Sequence, residues 1–437
     1  MKPLLGTEVQ KKEALQLLEN DCKFLSLALN DRKDDDGRKR VIKSGVIEGF
    51  NNVFENYELN SITRTQSQSF FHITNNSSDE CNLLLLEKKP FLVLQTGINT
   101  TPKSDPHPHY ELIQEIDGIK KIFALFLKNG NKQSRDRSAL CIGYLFKARE
   151  IADPIMRQEI INHLKSLLND ENAWVKEGAK YALKYLAQNE QNRSKILNEQ
   201  ELKRVGQDLK QPIDGTEEQQ KDITQRQETD LLLLSSVIKG RNDTELRKRI
   251  ISSGIVESLL TIFTIRDLNS ITRAYSQSFF DLTNNSSDES KLLIYNKKPY
   301  PGLIRLLEHT NNDITSDTII SILLILQTGS NTTKESDPHP HYEQIQESDG
   351  IKEIFALFQK NGNKYSRDRS ALCIGYLFKA QEIADPIMRQ EIINHIKSLI
   401  NDSDAWVKGR AKNALKYLAQ NAENKVVIEA GGFTIAK

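Results

Sequence analysis

Cysteine is scarce in this chain: four in 437 residues, Cys22, Cys81, Cys141 and Cys373, with no C-x-x-C pair among them. That pattern argues against a disulfide framework and against a cysteine-built zinc site. Charge of one sign is lacking too, because 60 Lys and Arg face 59 Asp and Glu, a net of +1. Such a balance gives no basic footprint for nucleic acid and no polybasic patch for an anionic membrane. No run approaches ~18 apolar residues, so no transmembrane helix is expected. The opening MKPLLGTEVQKKEALQLL is charged throughout, without the apolar stretch of a secretory signal. The expected location is intracellular: cytoplasmic, with the nucleus left open. Glycine-rich phosphate loops, HExxH and G-x-S-x-G are all missing, so neither an enzymatic activity nor a cofactor is expected. What remains is 38% apolar residues, enough for a core.

Those residues are arranged twice. VIKSG ending at Gly45 returns as IISSG ending at Gly254, and LNSITR-x-x-SQSFF-x-x-TNNSSDE returns 209 residues later, at Leu268. Further along, Gly143 matches Gly375 and Trp174 matches Trp406, now 232 residues apart. Between 104–189 and 336–421, roughly 73 of 86 positions are identical. The chain is a tandem duplication, with a first copy over 1–214 and a second over 215–437. The change of offset places a 23-residue gap between Pro90 and Phe91, where the second copy carries YPGLIRLLEHTNNDITSDTIISI. About half a repeat is missing there, either by deletion or by misreading of the gene. Helical repeats bury their apolar faces only against neighbours, so the helices flanking the gap are expected to lack a packing partner.

Within the second copy, breaks at Gly254, at Pro299 to Gly302, at Gly350 and at Asp385-Pro386 precede apolar segments, spaced about 40 to 50 residues apart. Each is followed by a helix with i, i+3, i+4 spacing, such as Ala371, Leu372, Ile374, Leu377 and Phe378, or Val407, Ala411, Ala414, Leu415 and Leu418. Asp385 has the chemistry of an N-cap, with Pro386 at the first helical position. The Gln-rich stretch from Asn192 to Glu228 reads as three helical pieces that complete one unit across the copy boundary, with a hinge expected near Pro212 to Gly215. The pattern predicts an all-α solenoid, continuous through both copies.

IISSGIVESLLTIF followed by AYSQSFFDLTNN resembles the armadillo pattern of one short and two longer helices, as does NKVVIEAGGF at Asn424 to Phe433. NDSDAWVKGRAKNALKYLA is similar to the second helix of a HEAT unit, with Asp402, Val407, Lys408, Ala411, Ala414 and Leu415 in place. The resemblance implies a right-handed superhelix of armadillo/HEAT-like repeats. It also implies an interaction protein whose last helix in each unit lines a concave groove for an extended peptide or a partner domain. In peptide-binding armadillo proteins that helix carries an asparagine, and karyopherin-α adds a tryptophan one turn earlier. The asparagine position here is His72, Tyr144 and Tyr185, then Asp281, Ile325, Tyr376 and Tyr417. The tryptophan position is Gln68, Leu140 and Tyr181, then Gln277, Ser321, Leu372 and Asn413. With that ladder gone, an import-type adaptor for basic peptides is the weakest of three readings.

The candidate concave face therefore comprises His72, Tyr144, Trp174, Tyr181, Tyr185, Asp281, Tyr376, Trp406 and Tyr417. Trp174, Tyr181 and Tyr185 fall at i, i+7 and i+11, one stripe of a helix distinct from the core stripe Val175, Ala179, Ala182, Leu183 and Leu186. Exposed Trp and Tyr make hot spots; the bland alternative is packing against the next unit. SDPHPHY, at Ser104 and Ser336, offers His107 and His109, or His339 and His341. Two imidazoles in a proline loop fall short of a metal site, and a rigid connector is expected instead. Cys141 and Cys373 read as small buried hydrophobes. The leading expectation is a non-enzymatic scaffold for a protein or peptide ligand. The alternative is a structural or self-assembling array, in which the unfinished ends allow weak head-to-tail association between chains.

Overall fold

The computed structural model describes residues 19–25, 27–29, 34–47, 105–115, 117–360 and 362–434. His72, Cys81 and the Pro90–Phe91 junction lie outside them. Among the described residues there are helices and turns and no strand, as the apolar periodicity predicts.

Two compact units emerge: residues 1–167 with 184–192, and residues 168–183 with 193–437. In the first, α1 spans Asp35–Lys43, α2 Tyr110–Glu115, α3 Gly118–Lys128, α4 Lys132–Leu145 and α5 Pro154–Ser166. Helices α2 to α5 pack in sequence, each on the next. Helices α6 (Ala173–Leu186) and α7 (Glu190–Ile196) contribute residues to both units.

The second unit is a run of helical repeats. After α8 (Glu199–Lys210) and α9 (Glu217–Ile238) come three triplets of one short and two further helices. They are α10 (Thr244–Ser252), α11 (Ile255–Ile265) and α12 (Arg273–Thr283); α13 (Asp288–Tyr295), α14 (Tyr300–Leu306) and α15 (Asn312–Asn331); and α16 (Tyr342–Gln346), α17 (Gly350–Lys360) and α18 (Lys364–Leu377). A two-helix module, α19 (Pro386–Leu399) and α20 (Ala405–Leu418), precedes α21 (Ala422–Glu429). Third helices α9, α12, α15, α18 and α20 stack side by side in one layer, and α8, α11, α14 and α17 form the layer behind. This is an armadillo-like α-solenoid, and the predicted stripes from Ala371 to Phe378 and from Val407 to Leu418 are buried in it.

Local chemistry sets the boundaries. Asp385 caps α19 as its sequence predicts, accepting from the backbone N–H groups of Ile387 (2.8 Å) and Met388 (2.9 Å); Asp153 does the same for α5. The Gln-rich segment becomes the 22-residue helix α9 because Thr216 and Gln219 form a reciprocal capping box. Its Gln227 is buried and fully used, donating to Asp208 O and Gln211 O and accepting from Arg266 and Tyr275. Gly254 turns the chain between α10 and α11 at φ 89°, where a side chain is disfavoured. The break expected at Pro299 to Gly302 is placed differently. The left-handed residue is Lys298, while Gly302 lies inside α14, where a Cβ would stand 2.9 Å from Phe263 Cβ. Glycine there serves close helix packing.

One terminus is closed by a side chain that no motif announced. Arg247, buried in α10, donates from Nη1 to Asp281 O (2.6 Å) and Leu282 O (2.8 Å), and from Nη2 to Asn284 O (2.9 Å) and Arg241 O (2.8 Å). Three of those carbonyls end α12 and would otherwise be orphaned.

Candidate functional site

The residues singled out by the sequence lie on helices α4, α6, α12, α18 and α20, some exposed and some buried. On α6, Trp174 is 53% exposed and Tyr181 45% exposed, both clear of the buried Val175, Ala179, Ala182 and Leu183. Tyr185, on the same helix, is half-buried. On α20, Trp406 and Tyr417 are half-buried. His72 lies outside the described residues.

Three candidates belong to the buried set, which corrects their expected place on the open face. Tyr144, Asp281 and Tyr376 are all buried. For the two tyrosines the cause is register: each points toward a neighbouring helix whose own tyrosine ring covers it. Tyr376 on α18 meets Tyr417 on α20 edge to face at 5.5 Å, and Tyr144 meets Tyr185 in the same way at 6.0 Å. Lys379, also buried, places its Nζ 5.2 Å from the Tyr417 ring and donates to Ser330 O, Thr333 O and Thr333 Oγ1. Such ring pairs contribute about 0.5–1.5 kcal/mol beyond their area.

Asp281 sits in α12 with one carboxylate oxygen, Oδ2, enclosed and without a hydrogen-bond partner. Burial pushes its carboxyl up to about 6, against the opposing Lys239 charge and Ser235 and Gln277 side chains. Above that pH the fold holds a disfavoured charge. As pH falls from about 6 toward the ordinary 3.8, the folded chain takes up a proton that the unfolded chain does not, and stability rises. Asp281→Asn is therefore expected to stabilise the second unit by about 2–3 kcal/mol near pH 8. The gain should shrink to nothing near pH 4, and urea midpoints across that range measure it. A gain independent of pH would refute the assignment.

The two histidine loops are built as connectors. His339 Nδ1 accepts the His341 backbone N–H (3.1 Å) and its Nε2 donates to Leu326 O (2.8 Å), so both ring nitrogens are spent. His341 stacks on Tyr295 with centroids 3.7 Å apart and accepts from the Tyr300 hydroxyl at 2.7 Å. Burial lowers the two imidazoles to about 4 and about 3, keeping them neutral. Their counterparts repeat the turn, with His109 N donating to His107 Nδ1. Tyr300, the partner of His341 Nδ1, belongs to the segment absent from the first copy; separately, the other ring nitrogen of His109, Nε2, is enclosed without a hydrogen-bond partner. Cys373 is buried, as expected, and burial raises its thiol well above the ordinary value. That state suits packing rather than nucleophilic attack.

No family model matches the chain, and no curated protein matches it. Among solved structures, an engineered protein is similar with a TM-score of 0.56 at 14% identity, over 92% of this chain and 95% of that one. A designed armadillo repeat protein aligns at TM-score 0.41 and 13% identity, over 60% of this chain and 100% of its own. Another, solved in complex with the peptide (KR)4, aligns at 0.39 and 14%, over 60% and 99%. The first likeness shows the fold alone, and the scores of the other two carry no argument. No helix of the described residues is long and apolar enough to cross a membrane.

Proposed function

We propose that this armadillo-like repeat chain is a non-enzymatic scaffold that binds a protein or an extended peptide on the face carried by its third helices. The observation that carries the reading is the exposure of large aromatics: Trp174 and Tyr181 on α6, and Tyr365, 39% exposed, on the third helix α18. A monomer gains nothing by showing tryptophan and tyrosine to water, whereas a partner gains large rigid apolar area with a hydrogen-bonding tip. Trp406 and Tyr417, half-buried on α20, extend the same chemistry. The buried thiol and the spent imidazoles described above are in keeping with binding rather than catalysis. An intracellular site of action, cytoplasmic or nuclear, belongs to the same reading.

The test is affinity capture from native lysate with the wild-type chain and a variant carrying Trp174→Ala, Tyr181→Ala, Tyr185→Ala, Trp406→Ala and Tyr417→Ala. Circular dichroism checks that the variant is still helical. Partners retained by the wild type and lost by the variant are the expected result. An identical catch from both overturns the reading, and a catch of the chain alone favours a self-assembling array.

A further inference from the structure

On the second unit the third-helix face alternates rings with guanidinium groups. Arg369 Cζ on α18 lies 3.5 Å from the Tyr365 ring centroid and 5.3 Å from that of Trp406. Arg410 Cζ on α20 lies 3.6 Å from the Trp406 centroid. One indole thus carries two cations. Cation–π stacking of this kind is strongest where water is excluded.

Neither guanidinium stands in a direct ion pair, although the charge of Asp404 acts on Arg410 and that of Arg369 on Asp402. Arg369 is only 8% exposed, and its guanidinium reaches the Tyr365 carbonyl at 3.5 Å and interacts with the Tyr365 side chain. Arg410 reaches the Trp406 carbonyl at 3.4 Å. The Nε atoms of both are enclosed and without a hydrogen-bond partner. The direct contacts of the nearby acids go to other groups: Asp402 and Asp368 to Lys364, each at 2.7 Å, Asp368 also to His395, Asp317 to Arg273, and Asp404 to the backbone N–H of Trp406. Two like charges around one ring repel, and an anion relieves that repulsion. Because rings cover the guanidinium faces, recognition is left to the in-plane N–H edges, which match a carboxylate.

The duplication supplies an internal comparison. Arg137 and Trp174 stand where Arg369 and Trp406 do, but Gln133 replaces Tyr365 and Gly178 replaces Arg410. Glu177 stands at the position of Gly409, so these two adjacent sites change from −1 in the first copy to +1 in the second. Nearby, Glu171, Asn172 and Tyr181 are replaced by Ser403, Asp404 and Asn413, and Asn172 and Asp404 both cap their helices by accepting the backbone N–H of the following tryptophan.

We propose that Tyr365, Arg369, Trp406 and Arg410 form a carboxylate-binding site that takes Glu or Asp side chains of an extended acidic segment in a protein partner, and that the first copy lacks this site. The proposal rests on the scaffold reading above and adds the chemistry of the ligand.

Trp406 is itself the probe. In a Trp174→Phe background it is the sole tryptophan of the chain. Its emission is followed while hexaglutamate, hexalysine and a neutral Gly-Ser peptide of equal length are titrated in. Hexaglutamate is expected to shift the emission saturably, with affinity falling as salt rises. Arg410→Gly, a residue the first copy already has at this position, should weaken binding at least about fivefold, and Arg369→Gln with Arg410→Gly at least about twentyfold. Circular dichroism confirms that both variants remain folded. An unchanged emission with hexaglutamate, or equal affinity in the variants, overturns the proposal. Saturable binding of hexalysine or the neutral peptide alone overturns the charge assignment and leaves the scaffold reading standing. That reading is decided separately, by the capture comparison.

Discussion

A chain lacking residues 300–322 is expected to lose the cooperative unfolding transition of its second unit. The segment contains all of α14 and the first half of α15. Nine of its apolar side chains are buried: Tyr300, Leu303, Ile304, Leu306, Leu307, Ile314, Ile319, Ile320 and Ile322. At about 1.5–3 kcal/mol for each buried side chain, their loss exceeds 10 kcal/mol. That is as large as the whole stability of an ordinary domain, roughly 5–15 kcal/mol. Damage spreads to neighbours. Leu260 and Phe263 of α11 lose the glycine-tight contact of Gly302, and His341 loses the Tyr300 hydroxyl. Solenoid helices have no other place to bury their faces, so local loss is not absorbed elsewhere. Urea unfolding followed by far-ultraviolet circular dichroism should show a broad, early decline in place of a single transition. An unchanged midpoint would refute the assignment of this half repeat to the core. The first copy lacks the same residues by sequence, and it is expected to unfold before the second in the wild-type chain.

Arg247→Met is expected to cost about 3–5 kcal/mol. Two effects oppose each other at this residue. Burial disfavours its charge, lowering the guanidinium to about 10, so removing the charge relieves a desolvation cost. Four backbone carbonyls, however, accept its N–H groups. Each buried carbonyl left without a donor costs about 1–3 kcal/mol, so the orphaned set outweighs the relief. The favourable placement of a cation at the C-terminus of α12 is lost as well. The urea midpoint measures the effect, and a change below about 1 kcal/mol would mean that water replaces the guanidinium at all four positions. Arg247→Lys should recover little, since a single ammonium lacks the fork that spans these carbonyls.

Much of the architecture was legible because helical repeats are written locally. The spacing of Val407, Ala411, Ala414 and Leu415 sets the buried stripe of α20, and Asp385-Pro386 sets the start of α19; both are properties of one turn of helix. The duplication could be read off identities alone. The binding face was less legible. Tyr376 and Tyr417 occupy equivalent positions in consecutive units, yet one is buried and the other half-buried, because the ring of Tyr417 covers that of Tyr376. Sequence position gives a side chain's angle on its own helix but not the height of the neighbour beside it.

The same distinction separates the remaining residues. The amino-acid sequence by itself determined the helical class, the repeat period, the core stripes and the capped helix starts, since each depends on contacts within a few residues. Only the tertiary structure decided that Arg247 closes a helix 34 to 37 residues away, and that Gln227 joins α9 to Arg266 and Tyr275. It alone placed Arg369 and Arg410 beside the same indole from two different helices. These are long-range meetings of groups that carry no local signal, and a guanidinium discloses its partners only when the chain brings them within hydrogen-bonding or stacking distance.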